Sequence, residues 1–164
     1  MVAYETIHAM KNKRKGRKGW LAIKLYMSKA YDRVEWAYLE GVMARLGFSS
    51  KWIKLIMSCV TTVTYSTVIN GKQCGFLVPS KGQRQRDPLS PYLFLLCAEG
   101  LVGLMRNTRR EGTIQRVVSK KAPKVSHLFF ADDSMFFCHA KRTDCMKVME
   151  ILAIYRQASR QEVN

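Results

Sequence analysis

The sequence predicts an α+β fold, an antiparallel sheet with helices packed on one face. Three observations predict it. Runs rich in apolar and β-branched residues are interspersed with segments of helical period. Two pairs of strand-like runs are joined by short turn signals, Asn70-Gly71 and Ala131-Asp132-Asp133-Ser134, which makes each pair antiparallel neighbours. The helical segments fall between such pairs and not in strict strand–helix–strand alternation, so they gather on one side of the sheet. The 164 residues favour one domain, and 48% apolar with 24% charged residues is a globular balance.

Val2 to Met10 reads as a short helix or the end of one. Lys11-Asn-Lys-Arg-Lys-Gly-Arg-Lys18, with six basic residues of eight, reads as an exposed loop. Two readings of it stand: a solvated linker, or a phosphate contact or nuclear-import patch. Trp20 to Met27 is a strand, apolar on both faces but for Lys24, and so central in its sheet. Val34 to Leu46 has Val34, Tyr38, Val42 and Leu46 at helical spacing, and Gly47 stops it. Ser49 and Ser50 can cap a helix from Lys51 to about Val60.

Thr64 to Ile69 is rich in β-branched residues, and Asn70-Gly71 is the strongest short hairpin signal in the chain. Lys72 to Val78 is the returning strand, and Pro79 to Pro88 a polar loop. Ser90-Pro91 starts a helix that runs to about Arg109, with Gly112 beyond its end. Ile114 to Ser119 reads as a strand and Lys120 to Pro123 as a basic turn. Val125–Phe130 and Met135–His139 are two strands, followed by a helix from about Thr143 to Ala158 with apolar Met146, Met149, Leu152 and Tyr155 on overlapping faces.

Charge and cysteines narrow the classes of function. Lys and Arg total 28 against 12 acidic residues, a net +16, which opposes compaction and attracts polyanions. Nucleic acid leads as partner, with an anionic membrane surface second and a merely basic surface third. The five cysteines, Cys59, Cys74, Cys97, Cys138 and Cys145, are odd in number and form no CxxC. They suggest neither a disulfide framework nor a zinc site, and most read as buried thiols of a reducing compartment. The start lacks the apolar core of a signal peptide, so the chain reads as intracellular, nuclear or cytoplasmic, and not secreted. Leu89 to Met105 is the most apolar stretch and reads as a core helix, not a membrane span.

His127-Leu-Phe-Phe-Ala-Asp-Asp-Ser-Met-Phe-Phe137 is the most informative stretch. Asp132 and Asp133 stand at a turn between strongly apolar strands. One reading is a plain turn, where Asp and Ser are common. The other is a pair of carboxylates on a rigid hairpin tip that repel each other unless a divalent cation binds.

Three segments then read together: Ala22-Ile-Lys-Leu-Tyr-Met-Ser-Lys-Ala-Tyr-Asp-Arg-Val-Glu-Trp36, Lys81-Gly-Gln-Arg-Gln-Arg-Asp-Pro-Leu-Ser-Pro-Tyr-Leu-Phe94 and Phe129-Phe-Ala-Asp-Asp133. In this order they resemble the reverse transcriptases of non-LTR (LINE-type) retrotransposons, especially those of plant genomes. Ala158-Ser-Arg-Gln-Glu-Val-Asn164 resembles the next motif, cut short. The resemblance covers essentially the whole chain. It implies a right-hand polymerase palm with partial fingers, an antiparallel sheet backed by helices. It further implies a partial domain over residues 1–164, with thumb and endonuclease outside it.

By the same resemblance the chemistry is nucleotide transfer to a primer 3′-hydroxyl with two Mg²⁺ ions, RNA template, DNA primer and deoxynucleotide triphosphates. Asp132 and Asp133 match the metal-binding aspartates of the hairpin. Tyr31 matches the aromatic residue under the incoming sugar, and Gln85 a residue near nucleotide and template. Arg84, Lys24 and Lys29 are basic positions within these motifs, near phosphates, and Asp32 is structural.

The sequence departs from the family at demanding positions. Tyr26 stands where the first motif has its metal-binding aspartate. A phenol is neutral at pH 7, so a charge and an oxygen ligand are lost together. A loss of about 4–6 kcal/mol of transition-state stabilisation slows the reaction roughly 10³- to 10⁴-fold. Arg86 stands where glycine follows the glutamine, Gln83 where leucine is usual, and Arg160 where the last motif has glycine. The copy is therefore expected to be inactive or nearly so. Two alternatives remain: a non-catalytic basic nucleic-acid-binding module, and a structural protein with Asp132 and Asp133 far from Tyr26.

Overall fold

The computed structural model describes residues 2–11, 19–112, 126–130 and 133–163. Helix α1 spans Val2–Lys11 and strand β1 Trp20–Ser28. Helices α2 (Trp36–Arg45) and α3 (Ser50–Thr61) follow, then the hairpin strands β2 (Tyr65–Ile69) and β3 (Lys72–Leu77). Helix α4 runs Ser90–Arg110, and strands β4 (His127–Phe130) and β5 (Asp133–His139) precede α5 (Arg142–Ser159) and the short β6 (Glu162–Val163). The expected basic loop over 12–18, the strand over 114–119 and the turn over 120–123 lie outside the described residues.

The main sheet has the order β4-β5-β1-β6, antiparallel at each step. Strand β1 is internal, as its doubly apolar pattern predicts. One face of β1, through Leu25 and Met27, packs into a single cluster with Phe136 and Cys138 of β5. Leu39 and Met43 of α2, Leu93 to Leu101 of α4 and Val148 to Tyr155 of α5 complete that cluster. Helices α2 to α5 therefore lie on one side. On the other face Ala22, Lys24 and Tyr26 are exposed.

Local signals account for the boundaries. The Ser49 side chain accepts a hydrogen bond from the Trp52 N–H and caps α3. Asn70 and Gly71 both take positive φ, 50° and 78°, the conformation that a two-residue hairpin turn requires. The β2–β3 pair forms a separate two-stranded sheet, exposed along its whole length. Among the described residues no helix is long and apolar enough to cross a membrane.

Three expectations need correction. Helix α2 begins at Trp36, not Val34, because Val34 is buried in the approach and its carbonyl accepts from the Gly82 N–H. In α5 the inward face is Val148, Ile151, Leu152 and Tyr155, whereas Met146 and Met149 are exposed. Two cysteines, Cys97 and Cys138, are buried; Cys59 and Cys74 are exposed and Cys145 is intermediate.

Candidate active site

The site forms where the end of β1 meets the loop before α4. After Ser28 the chain turns sharply, with Lys29 at φ 51° and the Arg33 N–H donating to the Lys29 carbonyl. The loop from Lys81 then docks along this turn. The Gly82 N–H donates to the Val34 carbonyl and the Gln83 N–H to the Tyr31 carbonyl, both at 2.8 Å. The Trp36 indole N–H donates to the Gly82 carbonyl, also at 2.8 Å. Gly82 has φ +91°, and an added Cβ would lie 2.8 Å from the Asp32 carbonyl oxygen. Only glycine permits so close an approach of two backbones.

This docking joins two sequence motifs some fifty residues apart. Gln85 Nε2 donates to Asp32 Oδ1 at 3.1 Å. Tyr26, Lys29, Tyr31, Asp32 and Gln85 line one cavity of about 240 Å³. The Tyr31 ring rests against Phe94 of α4, with centroids 5.2 Å apart. Gln161 anchors the floor from the far end of the chain, donating through Nε2 to the Ala30 carbonyl at 2.8 Å. Arg33 pairs with Glu162 at 2.6 Å beside it.

Of the other expected site residues, Lys24 lies on the exposed face of β1, two positions before Tyr26. Arg84 lines a different cavity, next to α3 and the start of α4, and its carbonyl accepts from the Ser90 hydroxyl. Asp133 is the backbone partner of Tyr26 in the β1–β5 ladder. Asp132 lies outside the described residues. Tyr26 is 50% exposed at this ladder position. Among the described residues no group of three or more His, Cys, Asp or Glu side chains could hold a metal ion.

The resemblance did not foresee that Asp32 holds Gln85, nor that Trp36 and Gln161 tie the site together. No local pattern signals these contacts, which span 53, 46 and 131 residues. Two departures, by contrast, fall on special backbone. Arg86 has φ 63° and Arg160 φ 57°, left-handed positions that glycine occupies at least cost.

Comparison with known proteins agrees with this architecture. The family described as reverse transcriptase (RNA-dependent DNA polymerase) matches residues 1–164. An uncharacterized mitochondrial protein of Arabidopsis thaliana is 50% identical over 68 residues, covering 41% of this chain and 56% of that protein. The retrovirus-related Pol polyprotein from the type-1 retrotransposable element R2 of Popillia japonica is 28% identical over 126 residues, 77% of this chain and 20% of the polyprotein. Apo telomerase of Candida tropicalis, truncated from its C-terminal domain, superposes with a TM-score of 0.66 at 15% identity, over 97% of this chain and 32% of its own. Telomerase of the same organism with a fragment of telomeric RNA gives 0.64 at 16% identity, over 99% and 27%. The chain thus spans from a fifth to just over half the length of these proteins. At such identities the structural likeness speaks for the fold alone, and that fold is a polymerase palm of mixed α+β type.

Proposed function

Because the chain belongs to the reverse transcriptase (RNA-dependent DNA polymerase) family, we propose that it is the palm of a LINE-type element enzyme that no longer copies RNA. Its relation to the Pol polyprotein of a non-LTR element supports that ancestry. The observation that carries the proposal is the register of β1 against β5, in which Tyr26 stands opposite Asp133 and shares its cavity with Tyr31 and Gln85. In this reading Tyr26 takes the place of a metal-binding carboxylate, so Asp132 and Asp133 lack their third partner. Tyr31 and Gln85 keep their places beside the incoming nucleotide, and Lys24 and Arg84 face phosphates.

Primer extension on an RNA template with Mg²⁺ and deoxynucleotide triphosphates tests the proposal. The expected result is no product above background. Tyr26→Asp should recover only part of a relative's rate, because Arg86 still occupies a left-handed position in the docking loop. Robust Mg²⁺-dependent synthesis by the unaltered sequence would refute the proposal.

The net charge of +16 favours a second reading, a module that holds RNA–DNA duplex without extending it. Its affinity should fall steeply with salt, since phosphate neutralisation releases counterions. Weak binding that ignores duplex form would exclude it.

A further inference from the structure

Gln83 is only 5% exposed, and among the described residues neither end of its amide has a hydrogen-bond partner. A buried amide in that state is destabilising unless something outside the fold satisfies it. Gln83 lines a cavity of about 210 Å³ between α3, the β2–β3 hairpin and the start of α4. Val60, Val63 and Leu93 give it apolar walls, and Tyr65 adds an aromatic ring. Arg84 and Lys81, the latter 3.8 Å from the Glu35 carboxylate, bring two cations to the same space. The carboxylates that also line it are engaged: Asp32 accepts from Gln85 and Asp87 from the Leu89 N–H.

Apolar and aromatic walls, a donor–acceptor pair and flanking cations are together the recognition chemistry of one nucleobase and its phosphate. We propose that this cavity binds an adenine base, with the Gln83 amide pairing to its N6 and N7 edge. Turning the amide toward the base breaks no hydrogen bond, because it makes none within the described fold. The inference rests on the nucleic-acid reading above and names the base within it. The base belongs either to a single strand or to a free mononucleotide.

Fluorescence anisotropy with labelled oligoadenylate and oligocytidylate of equal length, using the whole chain, tests it. The expected preference for adenylate is about tenfold, the scale of one bidentate base contact. Gln83→Leu and Gln83→Met should both bring adenylate affinity down to that for cytidylate. Both should also melt higher than the parent, so misfolding does not explain the loss. AMP that displaces the oligoadenylate identifies a mononucleotide site; an adenylate preference that AMP leaves in place identifies a base held within a strand. Equal binding of both oligonucleotides, unchanged in the two variants, overturns the adenine site and leaves the nucleic-acid reading standing. No binding to either oligonucleotide overturns both.

Discussion

Gly82→Ala tests the docking of the two motifs most directly. At φ +91° an alanine costs about 1–2 kcal/mol in backbone conformation. The lower entropy of the unfolded alanine chain returns about 0.4–1 kcal/mol of this. The clash is then decisive. The new Cβ would meet the Asp32 carbonyl oxygen at 2.8 Å, its carbon at 3.2 Å and its Cα at 3.3 Å, all backbone atoms that cannot rotate away. Relief requires the loop to shift, and three hydrogen bonds resist it: Gly82 to Val34, Gln83 to Tyr31 and Trp36 to Gly82. Weakening one or two of them at about 1 kcal/mol each brings the expected loss to about 1–4 kcal/mol. For a domain of this size that is a fall in Tm of about 3–15 °C. Thermal and urea unfolding followed by circular dichroism measure it. Gly103→Ala is the control, since its Cβ meets nothing within 4 Å in the middle of α4, and it should stabilise by about 0.5–1 kcal/mol. If Gly82→Ala melts with the parent or with the control, the backbone contact between the motifs is not as described.

Three shorter tests follow. Arg86→Gly and Arg160→Gly each remove a side chain from a left-handed position and should each raise stability by about 0.5–1 kcal/mol in urea titrations; a loss at either site contradicts the strain assigned there. An alkylating reagent should modify Cys59 and Cys74 promptly and leave Cys97 and Cys138 untouched until the chain unfolds, because burial hides the latter pair and pushes each thiol up to about 12; mass mapping of the labelled sites decides this. Above about pH 9 the unfolded chain releases those thiol protons and the folded chain keeps them, so stability should fall as pH rises from about 9 toward 12; urea midpoints that stay level across that range contradict the burial of both groups.

Much of the fold was legible because the strongest signals are local. Asn70-Gly71 fixes a turn by backbone sterics alone, and Pro91 with Gly112 brackets α4. The doubly apolar run of β1 gives its central place without knowledge of its neighbours. What stayed hidden depends on contacts distant in sequence. Val34 continues the helical period of α2, yet it is buried at 1% exposure in the approach and linked to Gly82. Met146 and Met149 fit an inward stripe as well as Val148 and Ile151 do, and only the position of the sheet selects between them. Cys59 on α3 and Cys74 on the hairpin are both exposed, which their neighbours in sequence do not announce. At the site, Tyr26, Tyr31 and Gln85 were legible from motif order and come together in one cavity. The Asp32–Gln85 bond was not, because nothing near either residue announces the other.

The β2–β3 hairpin leads to a separate conclusion. Both its faces are exposed, with Phe76 88% accessible, so only its turn holds its register and no burial penalises a slip by one residue. Substitutions there leave the global melt almost untouched, and drift can accumulate in it while the palm stays folded. Among the described residues both its edges are unpaired, and an open edge is where one molecule can recruit another into a continuous ladder. Self-association should therefore begin at the hairpin, and a lysine or proline placed on its outer strand should be the most effective single means of keeping the protein in solution.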